Sequence, residues 1–379
     1  MAVATERGYG TLENADLAIK KEQRKLHSNL TVHLALILVF TLFGGGSFLS
    51  KFGIHGASPL VFEAVREVGT GPAFLALSRA LHGRCLPDRS DLLRVLLCSL
   101  CFAGSQAAFF LGLKYEDPTV GSTWQTALPI FTTSLAVLAG FEQASCQKAS
   151  GIVLASGGAA WMTMGAIIIS GSSRGGADAE GGGMMGHVMF FGQSILNSSY
   201  IVFSKALAEK YGGVLLTGWS FTLGSACLVS VALLAEASTG FAAFMCHDHN
   251  REVMLHCAES MFRLTPSMTW PLLYEIVCCS AIAWYLLGWA LQHTKASMVS
   301  VYCVIQPCST CVLSLMAIAM RGRTWADSYG ISTPGLHSIL GAVLIFAGLS
   351  VTFTELGPAK GQEEECAERT DKITTATAP

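Results

Sequence analysis

The sequence predicts an all-α membrane protein: ten transmembrane helices built as two inverted five-helix repeats. Three observations carry this expectation. Of 379 residues, 51% are hydrophobic and only 13% are charged, about half the charged share of a soluble domain. Ten apolar stretches reach the roughly 20 residues that a helix needs to cross a bilayer core about 30 Å thick. Segments of the first half of the chain also recur, in order, in the second.

The stretches are 31–51, 58–80, 92–113, 119–140, 150–170, 187–207, 213–235, 270–291, 297–320 and 335–355. In lipid every backbone polar group needs an internal partner, which leaves helices or a closed β-barrel. A barrel shows alternating segments of about ten residues, and these runs are too long and too evenly apolar for that. Residues 1–30 are polar and include Glu6, Glu13, Asp16 and Glu22. They lack the apolar core of a signal peptide and the acid-poor character of a transit peptide, so they are expected to be a cytosolic tail, like 357–379. With the N-terminus inside, inner segments hold sixteen of the 24 Lys and Arg, outer segments hold seven, and Arg66 lies in a span. That bias places both termini in the cytosol. Most cysteines sit in apolar runs, where Cys acts as a small hydrophobe. A net charge of -2 gives no basis for a nucleic-acid partner.

The repeat is visible at three places. A shift of 178 residues lays Asp117–Pro129 on Lys295–Pro307, matching Trp124 to Tyr302 and Pro129 to Pro307. A shift of 154 matches His33, Ser50 and Lys51 to His187, Ser204 and Lys205, and one of 190 matches Gly151, Leu154 and Gly158 to Gly341, Leu344 and Gly348. Five helices per half is odd, so the second half enters the membrane inverted. The expected units are 31–170 and 187–356, joined by a Gly-rich linker at 171–186, with an outer loop at 236–269. Inverted halves have two arrangements of similar energy, one open to each side, around a site near the midplane.

These residues resemble the drug/metabolite transporter superfamily in its ten-helix EamA-type form, over roughly residues 31–356. The resemblance is carried by Phe62-Glu63-Ala64-Val65-Arg66 in helix 2, by the Leu128-Pro129 and Gln306-Pro307 steps in helices 4 and 9, and by the Gly-rich last helix from Ile339 to Gly348. It implies secondary transport through a central cavity lined by the first four helices of each half, with helices 5 and 10 peripheral. The paired Lys and Arg of sugar-phosphate carriers are not seen in the late helices.

Glu63, Arg66 and Glu67 are spaced i, i+3 and i+4, so they share one face of helix 2. Charge inside a span is costly unless it is well satisfied or functional. The group reads either as a substrate anchor and proton-coupling site or as a structural ion pair near the outer interface. Glu275 is a second proton-coupling candidate, which could equally snorkel to the interface. Pro129 and Pro307 each free a helix carbonyl and read as hinges or packed kinks. At middle depth Gln106, Trp124, Gln125, Asn197, Tyr200, Trp284, Tyr285, Tyr302 and Gln306 are candidate cavity-lining residues, against helix packing as the alternative. Buried amides want partners in a membrane and aromatic faces suit flat or cationic ligands, so with Arg66 they suggest an amphipathic solute, uncharged or zwitterionic. In the outer loop Cys246, His247, Asp248, His249, His256 and Cys257 leave three readings open: a metal site, a Cys246–Cys257 disulfide, or neither. The loop's apolar stripe from Val253 to Leu264 suggests a short interfacial helix.

The expected function is secondary transport of a small organic solute by alternating access, with proton coupling as one form of it. No cofactor is expected, and both monomer and homodimer are open. An intramembrane enzyme would need a Ser, Cys, His or acidic constellation at one depth, which the sequence does not display. A non-transporting receptor would need no inverted repeat.

Overall fold

The computed structural model describes residues 30–55, 57–83, 85–140, 177–246, 251–259, 261–293, 302–303, 305–331 and 335–354, with scattered positions between 150 and 161. The tails, most of span 150–170 and His247, Asp248 and His249 lie outside the described residues. Among those described, the protein is helical and has no strand.

Helix α1 (Leu30–Gly53) turns tightly into α2 (Pro59–His82), with Pro59 in the first helical turn, where its missing N–H costs nothing. Gly83 ends α2 at φ 69°, and its N–H bonds Arg79 O. Helix α3 is Leu92–Tyr115. The expected fourth span is two helices, α4 (Pro118–Gln125) and α5 (Leu128–Leu138), separated by a turn just before Pro129. Asp117 opens α4 by accepting the Thr119 N–H at 2.7 Å, an N-cap that satisfies a free donor of the first turn.

Helix α6 covers Ala177–Tyr211. Residues 177–186, expected as linker, are therefore its first turns. Ala, Asp and Glu at 177–180 supply good helix formers and acids near the positive end of the helix dipole. Helix α7 is Gly213–Glu236. The loop expected to be outer holds α8 (Thr239–Met245) and α9 (Arg251–Glu259), joined by a Cys246–Cys257 disulfide with Cα atoms 5.7 Å apart. Helix α10 (269–293) is α-helical at its ends and π-helical over Glu275–Ala283. Helices α11 (Ile305–Arg321), α12 (Arg323–Ser328) and α13 (Leu336–Thr354) complete the described chain.

Among the described residues, four helices are long and apolar enough to cross a membrane: Leu30–Gly53, Arg89–Tyr115, Gly213–Glu236 and Pro266–Ala290. Many large apolar side chains on them face outward, such as Leu34, Leu93, Leu97, Leu234 and Val277, as a lipid solvent allows. The chain is an integral membrane protein. Helix α2 packs along α7, α3 along α6 and α7, α5 along α6, α4 against α11, and α10 against α2. Helix α1 meets α10 and α11 at its Gly44-Gly45-Gly46 run. Thr310 Oγ1 donates to Gly44 O at 3.0 Å, and Tyr274 Oη donates to Leu42 O at 3.1 Å. A methyl at Gly44 would come within 2.6 Å of Gln306 O, so small residues set this approach.

Candidate functional site

The helix-2 face is buried at the junction of α2, α10 and α1. Glu63 and Glu67 are 0% exposed, Arg66 3% and Glu275 4%. At 1.5 Å per residue, Arg66 lies roughly 10 Å along α2 from Pro59. Its guanidinium binds the Glu63 carboxylate one turn back. Its other terminal nitrogen is 3.6 Å from Glu275 Oε2 and 3.3 Å from Ser280 Oγ, both on α10. Two phenylalanine rings, Phe110 and Phe221, stand 5.5 and 5.6 Å from its central carbon, which adds cation–π attraction in a dry setting. Ser50 Oγ of α1 donates to Glu275 Oε1 at 2.7 Å. Glu67 lies one residue beyond Arg66, against Gly224 of α7, where a methyl would come within 2.5 Å of Glu67 Oε2.

The π-helical turn explains how α10 serves this cluster. Its wider i→i+5 winding stacks residues four to five apart on one face, and the buried ones are Glu275, Cys279, Ser280 and Ala283. Gly46 of α1 packs directly on that face: a methyl there would meet Cys279 Sγ at 2.5 Å and Glu275 Oε1 at 2.6 Å. Three buried carboxyl groups thus surround one guanidinium, and two of them, Glu63 and Glu275, pair with it. Single-sign surplus charge of that kind is what a low-dielectric interior tolerates least.

The remaining candidates fall into separate groups. Trp124 is buried and donates from Nε1 to His187 Nδ1 at 3.0 Å. Gln125 accepts from Gln193 at 3.2 Å. Tyr302 bonds His33, and the buried Gln306 donates to Ser47 at 3.4 Å. Trp284 is half-buried in an aromatic nest with Phe102 (5.7 Å), Phe43 (6.1 Å) and Phe221 (6.5 Å), beside the buried Tyr200, whose ring is 5.0 Å from Phe102. Gln106 and Asn197 are half-buried. Tyr285 is 44% exposed. Pro129 and Pro307 lie one and two residues inside the starts of α5 and α11.

At the C-terminal end of α3, Glu116 is half-buried beside His187, 3.7 Å from its Nε2. Burial pushes the Glu116 carboxyl up to about 7, against the opposing Asp117 N–H bond and Lys51 charge. Lys51 Nζ donates to Glu116 O at 2.7 Å and to Leu113 O, closing the end of α1 over that of α3.

Residues 30–164 match the EamA-like transporter family. The match covers α1 to α5, and so includes the Glu63–Arg66–Glu67 face. Two curated relatives span almost the whole chain. An uncharacterized transporter of Archaeoglobus fulgidus is 22% identical over 325 residues, covering 86% of this chain and 98% of its own. The uncharacterized transporter YoaV of Bacillus subtilis is 22% identical over 327 residues, covering 85% and 97%. A solved crystal structure superposes with a TM-score of 0.53 at 14% identity, covering 86% of this chain and 98% of that one, so the fold is shared. The resemblance carried by the helix-2 and proline motifs agrees with these matches.

The sequence marks Ser50 only as a repeat match and gives no sign of Ser280 or Gly46 as site residues. The unbroken Gly44-Gly45-Gly46 run was the available signal for close helix approach. Nothing in the sequence signalled the π-helical winding of 275–283.

Proposed function

We propose that the protein is a secondary transporter of a small organic solute, working by alternating access between two inverted five-helix halves, 31–170 and 187–356. The buried cluster at the α2–α10 junction carries this reading. It joins side chains from both halves about 10 Å below the outer end, with three carboxyls to one guanidinium. Balancing that charge in a dry interior takes protons or a cationic group, so a change of hydration on opening would move protons. Glu63 and Glu275 are the coupling groups in this scheme. Arg66, with Gln125, Gln306 and the aromatic nest, serves the solute.

The packing pattern supports two equivalent halves. Number the expected spans one to ten and exchange each with the one five places on. The 3–6 contact then becomes 8–1, 4–6 becomes 9–1, and 3–7 becomes 8–2, while 2–7 and 4–9 map onto themselves. Every one of these contacts occurs. The disulfide at 246–257 lies on the face opposite the expected cytosolic termini. This supports the orientation, because disulfides persist in oxidising compartments.

The test is uptake or efflux of amino acids, nucleobases and organic cations in proteoliposomes, with and without a pH gradient. Glu63→Gln and Glu275→Gln should flatten the pH dependence. Arg66→Gln, Gln125→Ala and Gln306→Ala should weaken apparent affinity or turnover. Wild-type kinetics in all five variants would put the path elsewhere. For orientation, after reduction an impermeant thiol reagent should label Cys246 or Cys257 in intact cells; labelling only after permeabilisation would invert the topology.

A further inference from the structure

Two hydrogen bonds in this protein are copies of each other. The repeat matches His33 to His187 and Trp124 to Tyr302 through two different shifts, 154 and 178, found without reference to any contact. In the structure the matched residues are bonded in pairs: Trp124 Nε1 donates to His187 Nδ1 at 3.0 Å, and Tyr302 Oη bonds His33 Nδ1. In both cases an aromatic side chain five residues before a proline bonds the same nitrogen of a histidine near the start of the first expected span of the other half. Each bond therefore crosses between the halves.

Their positions are opposite. His33 is three residues inside the start of α1 (Leu30–Gly53). Lys51, at the far end of that helix, bonds the backbone of Glu116, and Glu116 Oε1 is 3.7 Å from His187 Nε2. Eighteen residues of helix separate His33 from Lys51, or roughly 27 Å, close to the thickness of a bilayer core. One pair thus stands at each end of the transmembrane path, and cross-half polar contacts lie between them: Gln193–Gln125 at 3.2 Å, with Gln193 about two turns along α6 from His187, and Gln306–Ser47 at 3.4 Å, with Ser47 about four turns along α1 from His33.

We infer that Trp124–His187 and Tyr302–His33 are the outer and inner gate latches of the transporter, each broken when the path opens to its own side. This rests on the alternating-access reading above. Both bonds are formed in this structure. A latch must be cheap to break, and a single neutral hydrogen bond, worth roughly 1 kcal/mol net, meets that requirement where an ion pair in lipid would not. Reciprocity follows from the shared rigid halves: releasing one latch lets the halves rock toward the other.

The test needs no substrate. Amide hydrogen exchange is followed in the reconstituted full chain at the outer segments 118–125 and 185–192 and at the inner segment 30–37. Trp124→Phe keeps a ring and loses the donor. It should raise outer exchange about fivefold, the change that roughly 1 kcal/mol gives, and lower inner exchange. His187→Leu, which removes the acceptor instead, should reproduce it. Tyr302→Phe should do the reverse. If no variant changes exchange, the latch assignment is overturned while the transport reading stands. If exchange rises at one end without falling at the other, the ends are not coupled, and alternating access by rocking halves fails together with the latches. An equal rise at both ends in all three variants means general loosening and overturns the assignment.

Discussion

Arg66→Gln is the sharpest perturbation this structure offers, because the guanidinium serves two carboxylates at once. Glu63 is bonded to it, and Glu275 Oε2 lies 3.6 Å away. Removing one partner of a buried pair costs about 3–5 kcal/mol, since the other charge stays buried and uncompensated. Arg66→Gln should therefore lower the thermal stability of purified protein in detergent or nanodiscs by about that much. Neutralising Glu63 as well should recover only part of the loss. Glu275 would remain, held by Ser50 Oγ at 2.7 Å but without its cation. The triple variant Arg66→Gln, Glu63→Gln, Glu275→Gln should recover more of it, because amides can satisfy one another without charge and Glu67 is then the one carboxyl left in the cluster. Stability should rise stepwise from single to double to triple variant. A triple variant as unstable as Arg66→Gln alone would refute the charge argument. It would mean that the shape of the guanidinium between Phe110 and Phe221 is what the fold needs.

Three further outcomes follow from other parts of the molecule. Glu116, pushed up to about 7, holds its proton more tightly folded than unfolded, so stability should fall as pH rises from about 4.5 to about 7. The drop is about 3 kcal/mol, and Glu116→Gln should abolish that slope in pH-dependent melting. Gly44→Ala drives a methyl to 2.6 Å from Gln306 O and should cost about 1–3 kcal/mol. Gly192→Ala, with nothing within 4 Å, should stabilise α6 by up to about 1 kcal/mol, and equal melting shifts in the two would contradict the packing. Replacing both Cys246 and Cys257 by Ser removes a cross-link over 11 residues and should lower stability by about 2–3 kcal/mol, measured against reduced and oxidised wild type.

Much of this molecule is written along the chain itself. Apolar run length is a one-dimensional property, because a bilayer demands about 20 uninterrupted residues and excludes charge. The long apolar helices α1, α3, α7 and α10 were legible for that reason. Glu63, Arg66 and Glu67 were legible as one face because helical spacing is local. The identity of their partners was not. Glu275 and Ser280 reach Arg66 only through the π-helical turn of α10, a change of winding set by packing against α1 and α2 and carrying no sequence signature. The break between α4 and α5 before Pro129, and the extension of α6 back to Ala177, likewise depend on which backbone groups find partners. The repeat gives the clearest division. Sequence alone paired His33 with His187 and Trp124 with Tyr302 as equivalents, because equivalence is a relation between positions. Only the tertiary structure decided that these equivalents bond each other across the halves, because contact between residues 63 and 269 positions apart is fixed by how helices pack in three dimensions.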